Sequence, residues 1–358
     1  MVARNDAVAE PEQPLSQLWY TRCPVPTATG VALDQGWLAG EFSRTGVALK
    51  SLLDTTDPDF RLSHFSHTLA GLFREGGNIP AIWAKARGEE TTVVGLTWVD
   101  ETQVLLVKED SPIRSAEDLA GARLGLSIRP GETIDFGRAM ALHGYVSALS
   151  LGGLTAQDGQ FVEIPGPPTS FGANGAANPW RDPSFDALLN GEIDAVYIKG
   201  APAVALREKF GLRVAVDLNE AADPAVRINN GTPRPITVNR DLVETRPDLV
   251  ARYLAILLLT ADWARDFGGE VRRIVAAETS TDIGSVEAAY GPKLHQSLRP
   301  SLRADWVDAL EVQKNFLRDW HFLAGDFDVR DWISPGPLAE AEKLVASGAI
   351  ALPGAAKS

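Results

Sequence analysis

The stretch that decides the fold is NGEIDAVYIKGAPAVAL, residues 190–206 of a 358-residue chain. Its apolar run, rich in branched and aromatic side chains, predicts a buried strand, and the alanine-rich part after Gly200 predicts a helix. Strand-like and helix-like segments alternate in the same way on both sides of it. This alternation predicts an α/β protein built in layers.

Three segments near the N-terminus matter most for function. The pattern predicts a strand over residues 17–23 (QLWYTRC), followed by a helix over residues 27–42. A second helix is predicted over residues 66–77 (SHTLAGLFREGG), with Gly76 and Gly77 as its C-terminal stop. In such a helix His67 and Arg74, seven residues apart, share one face.

The order of the segments indicates two α/β lobes. The chain crosses to the second lobe near residue 110 and returns near residue 225, which is the organisation of the two-lobed periplasmic-binding-protein-like (type II) fold. We therefore expect lobe I to contain residues 15–109 and 226–358, and lobe II to contain residues 110–225. Ligands are expected in the cleft between the lobes. The Gly/Pro/Asn-rich residues 165–183 fit either a surface loop or a lid.

Composition narrows the possible partners. The formal charge of −13 argues against nucleic acid and anionic membranes. A single cysteine forms no intramolecular disulfide, and the first residues lack the apolar core of a signal peptide. The apolar residues 254–261 are too short to span a bilayer. We expect a cytoplasmic protein whose residues 1–14 are disordered.

The lone cysteine, Cys23, follows the first predicted strand. At a strand-to-helix turn, unpaired backbone N–H groups favour a thiolate or a bound anion. A buried structural cysteine is the alternative interpretation, and it is the commoner situation.

A second group of polar residues, RLSHFSHTLAGLFREGGNIP, covers residues 61–80. Histidine suits proton transfer near neutral pH, and arginine suits a forked contact with an oxyanion. Glycines allow a close approach of the backbone to a ligand. Each residue also has an ordinary structural explanation. No third ligand stands at zinc-like spacing, so no metal site is predicted. The candidates from this segment are His64, Phe65, His67, Arg74, Gly76 and Gly77.

These motifs together resemble one enzyme family. CPVP at residues 23–26, HF at 64–65, an arginine ten residues after that histidine, and GG at 76–77 resemble the 2'-hydroxybiphenyl-2-sulfinate desulfinases. Weaker similarity covers most of the remaining chain. The resemblance implies a binding-protein-like fold, no cofactor, and cleavage of the C–S bond of an aryl sulfinate with release of sulfite. It also implies a place at the end of the bacterial pathway that removes sulfur from dibenzothiophene, with a flavin-dependent monooxygenase upstream.

The resemblance implies roles for individual residues. Cys23 is then the catalytic thiol, His64 its partner, Arg74 the clamp for the sulfinate and Gly77 a backbone donor to it. His67 stands where the family has a tyrosine, and residues 130–190 match poorly, so the substrate is a small aromatic sulfinate or another small organic anion. Aromatic candidates for the pocket wall are Trp19, Phe65, Phe73, Trp83, Phe171 and Trp180.

Other functions remain open at this stage. A solute-binding protein of an ABC transporter, for a sulfonate or a thiamine-pyrimidine-like ligand, has the same fold. So does an enzyme that acts on a different aryl or alkyl sulfinate, or a ligand sensor without chemistry. The sequence contains neither the GxSxG motif nor a phosphate-binding GxxxxGK loop.

Overall fold

The computed structural model describes residues 15–167 and 182–353. Four expectations lie outside these ranges: disorder of residues 1–14, most of the loop or lid at 165–183, and pocket positions for Phe171 and Trp180. Among the helices of the described residues, none has the combination of length and apolar character that crossing a bilayer requires.

Strands and helices alternate through the first two thirds of the described chain, as the sequence predicts, and helices dominate the rest. The strands are β1 (Gln17–Arg22), β2 (Ala48–Ser51), β3 (Leu72–Glu75), β4 (Thr91–Thr97), β5 (Gln103–Lys108), β6 (Arg123–Ile128), β7 (Gln160–Pro165), β8 (Val196–Lys199), β9 (Leu212–Asp217) and β10 (Arg234–Asn239). The helices are α1 (Ala28–Asp34), α2 (Trp37–Ser43), α3 (Pro58–Ser66), α4 (Asn78–Ala86), α5 (Phe136–Leu151), α6 (Pro183–Leu189), α7 (Ala201–Phe210), α8 (Arg240–Thr245), α9 (Pro247–Ala264), α10 (Gly268–Thr279), α11 (Ile283–Tyr290), α12 (Ala304–Asp319), α13 (Val329–Trp332) and α14 (Gly336–Ala346).

The first lobe is built on a five-stranded sheet with the order β2-β1-β3-β10-β4. β1 pairs in parallel with β2 and with β3, and β10 runs antiparallel between β3 and β4. The carboxyl ends of β1 and β3 and the start of β10 therefore meet at one edge of the sheet. Polar residues placed at this edge come close together although they are distant in sequence.

The second lobe contains two smaller sheets. β5 lies between β8 and β9 in an antiparallel sheet, and β6 pairs in parallel with β7. A parallel bridge between Leu124 and Ala195 links the two sheets. Together with the binding-protein relatives reported below, this arrangement gives the α/β, two-lobed architecture that the alternating pattern predicts.

The crossing between lobes lies earlier than the boundary predicted at residues 109–110. β5 pairs only with β8 and β9, so it belongs to the second sheet, and the chain crosses within residues 98–102. The sequence places the boundary later because its turn signal is the proline turn of residues 110–112 (DSP), which follows β5 rather than β4. Helix α12 also departs from a simple division, because Phe316 packs against core clusters of both lobes.

The prediction of a helix over residues 66–77 is wrong. Helix α3 ends at Ser66, His67 follows in the left-handed conformation with φ 58°, and residues 72–75 form the central strand β3. All four residues of β3 are buried between β1 and β10, so the strand shows no alternation of apolar and polar side chains. His67 and Arg74 therefore share no helix face, and Gly76 and Gly77 connect β3 to α4 rather than ending a helix.

Phe73 packs the central strand β3 against the helical layer that contains α9. Its ring stacks on Tyr253 of α9, with the ring centroids 4.0 Å apart and the planes 9° apart. Both side chains are fully buried in the main cluster of the first lobe. The position of β3, and of the residue that follows Phe73, depends on this packing.

We expect Phe73→Ala to lower the free energy of unfolding by about 3–5 kcal/mol, because it leaves a cavity beside Tyr253. Urea unfolding followed by circular dichroism measures the change. Val312→Ala, at a position 46% exposed on α12, is the matched control and should shift stability by less than about 0.5 kcal/mol. Equal unfolding midpoints for the two variants would contradict the assigned packing.

Candidate active site

Cys23 lies directly after β1, at the strand-to-helix turn that the sequence predicts. Its sulfur accepts a hydrogen bond from the backbone N–H of Gly77 at 3.4 Å. Gly77 is the N-cap residue of α4, so the N–H group that reaches the sulfur comes from that helix start rather than from α1. The thiol is partly exposed and lines a cavity, so it is not walled off in the core.

His64 stands beside the sulfur. Its Nε2 lies 3.9 Å from Cys23 Sγ, and its Nδ1 lies 2.7 Å from the hydroxyl of Thr21. Burial, with a smaller contribution from the charge of Arg74, holds the pKa of His64 well below its usual range. The imidazole is therefore neutral near pH 7 and is oriented by a strand neighbour of the cysteine.

Arg74 lies in β3, one strand away from Thr21, and is completely buried. Its Nε donates to the carbonyl of His64 at 2.8 Å, and its Nη1 donates to the carbonyl of Gly77 at 3.0 Å. Its Nη2 has no hydrogen-bond partner among the described residues. Burial lowers the pKa of Arg74, and the neighbouring Cys23 opposes this effect. A buried guanidinium with an unsatisfied N–H group is costly unless an anion completes it.

Gly76 separates the thiol from the guanidinium. A Cβ atom at this position would stand 2.7 Å from Cys23 Sγ and 3.3 Å from Arg74 Nη2, so both groups border the same small space. No side chain larger than hydrogen fits there without displacing one of them. A Cβ at Gly77 would likewise meet the side-chain amide of Asn230. The glycine pair is thus required by close approach, not by a helix end.

The cleft holds a cavity of about 640 Å³ beside the thiol, and Arg74 and Gly76 do not border it directly. Cys23, His64, Phe65 and Gly77 border it from the first lobe, and Phe136 and Met140 border it from α5 of the second lobe. The rings of Phe65 and Phe136 stack with centroids 5.8 Å apart and planes 23° apart. The cavity therefore has a polar end at the thiol and an apolar wall formed by both lobes, which suits a flat aromatic molecule with an acidic group.

His67 is not a cavity residue, which contradicts the binding role expected for it. Its side chain is buried, with Nε2 3.2 Å from the carbonyl of Leu72 and Nδ1 3.3 Å from the hydroxyl of Thr237. Burial, together with Arg74, lowers the pKa of His67 to about 3. The ring supports β3 from behind, because the left-handed turn after α3 directs it into the sheet rather than into the cleft.

Two more expectations from the sequence change in the structure. The N–H of Gly77 is directed at the sulfur, and the N–H of Gly76 donates to the carbonyl of Pro235 at 3.4 Å, so neither is directed at the cavity space. Of the aromatic candidates in the described ranges, only Phe65 borders the cavity. The others, Trp19, Phe73 and Trp83, belong to hydrophobic cores.

Sequence reasoning missed three residues of the site. Thr21 orients His64; it lies two residues before Cys23 in β1, so strand periodicity was a usable signal. Asn230 accepts a hydrogen bond from the backbone of Ile79 at 3.0 Å, and Arg234 starts β10; both border the cavity. No local pattern marks these last two, because only the return of the chain from lobe II brings them there.

Within residues 15–167 and 182–353, no three or more His, Cys, Asp or Glu side chains are grouped so that they could hold a metal ion. The site residues assembled above are a thiol, an imidazole and a guanidinium.

Comparison with known proteins identifies relatives along nearly the whole chain. It is 28% identical over 349 residues to 2'-hydroxybiphenyl-2-sulfinate desulfinases of Rhodococcus erythropolis and Rhodococcus qingshengii, covering 89% of this chain and 91% of theirs. No family model matches the chain.

Solved structures give the same relationship. The desulfurization enzyme DSZB superposes with a TM-score of 0.70 at 26% identity, covering 92% of this chain and 99% of that one. A cysteine-to-serine mutant of DSZB in complex with biphenyl-2-sulfinic acid gives a TM-score of 0.72 at 26% identity, covering 91% and 99%. The periplasmic aliphatic sulphonate binding protein SsuA of Escherichia coli shares the fold, with a TM-score of 0.63 at 17% identity over 90% of this chain and 92% of that one.

We expect Gly76→Ala to displace the thiol, because the added methyl group would stand closer to Cys23 Sγ than real contacts allow. Labelling of Cys23 by iodoacetamide should slow several-fold. Gly269→Ala is the matched control: it lies in α10, nothing stands within 4 Å of its added Cβ, and labelling should not change. Equal labelling rates for Gly76→Ala and wild type would show that the space between sulfur and guanidinium is wider than described.

The buried histidines predict a loss of stability in acid. Burial lowers the pKa of His64, His67 and His143, the last to about 4, whereas the unfolded chain binds protons on them below about pH 6.5. The free energy of unfolding should therefore fall as pH drops from 6.5 towards 4, by about 1.4 kcal/mol per pH unit for each histidine. His67→Gln should reduce the dependence of the free energy of unfolding on pH by the contribution of one histidine, about 1.4 kcal/mol per pH unit. Urea unfolding at a series of pH values measures this dependence. An unchanged slope would contradict the assigned burial of the ring.

Proposed function

We propose that this homologue of the 2'-hydroxybiphenyl-2-sulfinate desulfinases is itself a desulfinase, which cleaves the C–S bond of an aryl sulfinate and releases sulfite. The observation that carries the proposal is the unsatisfied Nη2 of buried Arg74, which borders the same space as the thiol of Cys23. Similarity to desulfinases over 89% of the chain supports the same conclusion.

The charge of the site favours a single small anion. Arg74 and Arg234 are both buried. Burial raises the pKa of the carboxylate that follows Arg74, Glu75, and the buried carboxylate at the cavity, Glu101, already pairs with Lys199. His64 adds no charge near pH 7 because its pKa is lowered. A sulfinate group at the polar end would supply the missing negative charge and accept a hydrogen bond from Arg74 Nη2.

The aromatic part of the substrate would lie against Phe65 and Phe136. Both rings border the cavity beside His64, and each presents an apolar face of the kind that an aryl group packs against. Met140 of α5 adds a flexible apolar surface. Both lobes thus contribute to the one wall against which the ligand packs, with the C–S bond placed near the sulfur of Cys23.

In the proposed reaction Cys23 donates its thiol proton to the ring carbon that carries sulfur. The new C–H bond forms as the C–S bond breaks, so ArSO₂⁻ and the thiol give ArH, SO₂ and a thiolate. Water then adds to SO₂, and its proton returns to the thiolate, giving hydrogen sulfite and the free thiol. Atoms and charge balance in both steps, and the thiolate is stabilised meanwhile by the Gly77 N–H and by Arg74.

The alternative route is attack of a thiolate on the sulfinate sulfur. That route benefits from an imidazolium partner that holds the thiolate before substrate binds. The lowered pKa of His64 withholds such a partner near pH 7, so we favour proton donation. His64 then relays the proton back from water, with Thr21 fixing the ring at Nδ1.

A second candidate function follows from the fold. The sulphonate-binding protein SsuA has the same architecture, so a binder of sulfonate-like anions without chemistry is consistent with the cleft. An enzyme that acts on a different sulfinate would share the polar end of this cavity and differ from the proposed enzyme only in the fit of its substrate to the apolar wall. For either enzyme, the reaction class that supplies the substrate is oxygenation of an organosulfur compound, as by a flavin-dependent monooxygenase.

The decisive experiment is sulfite release from a panel of aryl sulfinates, including benzenesulfinate and biphenyl-2-sulfinate. Cys23→Ser should lower turnover by about 10²–10⁴-fold or more, because a hydroxyl is a much weaker acid than a thiol. Its affinity for the sulfinates, measured by calorimetry, should stay close to that of wild type.

Retention of turnover within a few-fold in Cys23→Ser would remove the thiol from the mechanism. Binding of sulfinates by the wild type without any sulfite release would favour the binding-protein alternative instead. Ser63→Ala, one residue before His64 but outside the cavity, is the matched control and should keep turnover.

A further inference from the structure

Arg234 is a second buried guanidinium at the site. It is 1% exposed, it borders the cavity, and it begins β10 at the sheet edge where β1 and β3 end. Its Nη1 donates to the carbonyl of Pro26 at 2.9 Å, within the CPVP segment that begins with Cys23. Arg234 therefore helps to hold the cysteine segment, residues 23–26, in position through this hydrogen bond, as Arg74 does for Gly77.

The charge of Arg234 is not neutralised by a direct ion pair. Within residues 15–167 and 182–353, no carboxylate lies within 4.0 Å of its guanidinium nitrogens, whereas neighbouring Arg22 pairs with Glu278 and Lys199 pairs with Glu101. The Nε of Arg234 has no hydrogen-bond partner among these residues. Its positive charge also lowers the pKa of Arg74, after the larger effect of burial. Arg74 and Arg234 thus act on each other electrostatically, and the carboxylate of Glu75, whose pKa burial raises against the opposing charge of Arg234, is the counter-charge beside them; a bound anion would add a second.

We propose that Arg234 is a second anion-binding residue of the cavity, and that free sulfite, the inorganic product, binds there with Arg74. This inference rests on the proposed function for the identity of the anion. A sulfinate carries one negative charge, whereas sulfite carries up to two and has three oxygens. Two guanidinium groups thus suit the product better than the substrate. Sulfite release is consequently slowed, and added sulfite competes with aryl sulfinates.

The test measures binding of sodium sulfite to the full chain by calorimetry, followed by competition with benzenesulfinate. Arg234→Gln should weaken sulfite binding by about 10–100-fold, the loss expected for a charged hydrogen bond. Arg234→Lys keeps the charge without the fork and should fall between this variant and wild type. Arg74→Gln should weaken both ligands, whereas Arg234→Gln should weaken sulfite more than benzenesulfinate.

Arg213→Gln is the matched control. Arg213 is half-buried, donates to the carbonyl of Ile113 at 2.7 Å and does not border the cavity, so its loss should leave sulfite affinity within twofold. Iodoacetamide labelling of Cys23 reports whether the cysteine segment has moved. If Arg234→Gln does not fold, Arg234→Lys decides the question.

Wild-type affinity for sulfite in a folded Arg234 variant would overturn the proposal, as would the absence of competition between sulfite and benzenesulfinate. Failure of the proposed function gives a different result. In that case no aryl sulfinate releases sulfite, while sulfite still binds and its affinity still depends on Arg234.

Discussion

The site depends on a charge held where water does not reach. Arg74 is completely buried in a central strand, and two of its three nitrogens are used to fix the carbonyls of His64 and Gly77. The guanidinium therefore sets the positions of the imidazole and of the loop whose N–H reaches Cys23. The third nitrogen has no hydrogen-bond partner among the described residues, and in the proposed enzyme it binds the sulfinate. In the proposed enzyme one side chain thus provides both the scaffold of the site and its affinity for the substrate.

Neutrality of the histidine is the second consequence of this charge. Arg74 adds to the effect of burial on the pKa of His64, so the site keeps its positive charge on guanidinium groups and the imidazole is neutral near pH 7. The sulphonate-binding proteins have the same two-lobed fold. In the proposed enzyme, what is added to that fold is a thiol at the end of β1 and a neutral base beside it.

The sequence predicts the turn that carries Cys23, the α/β alternation and the relationship to desulfinases. It fails at β3. Leu72 and Phe73 carry the apolar signal of a buried strand, but Arg74 and Glu75 follow them, and the glycines after them resemble a helix stop. Charged residues are unusual in a central strand, so the local sequence does not predict one here. The burial of Arg74 is explained by its hydrogen bonds to the carbonyls of His64 and Gly77, which the sequence does not reveal. Asn230 and Arg234 are unpredictable for another reason: their neighbours are about 150–210 residues away along the chain.

The insertion of β10 between β3 and β4 has a consequence for how the chain is made. The strands of lobe II are contiguous in sequence from β5 to β9, so its two sheets can pair once residue 217 has emerged from the ribosome. Until β10 emerges, β3 is an unpaired edge with an arginine at its centre. Completion of the first sheet therefore depends on a non-local pairing, which is slow to form and leaves an unpaired strand edge until then.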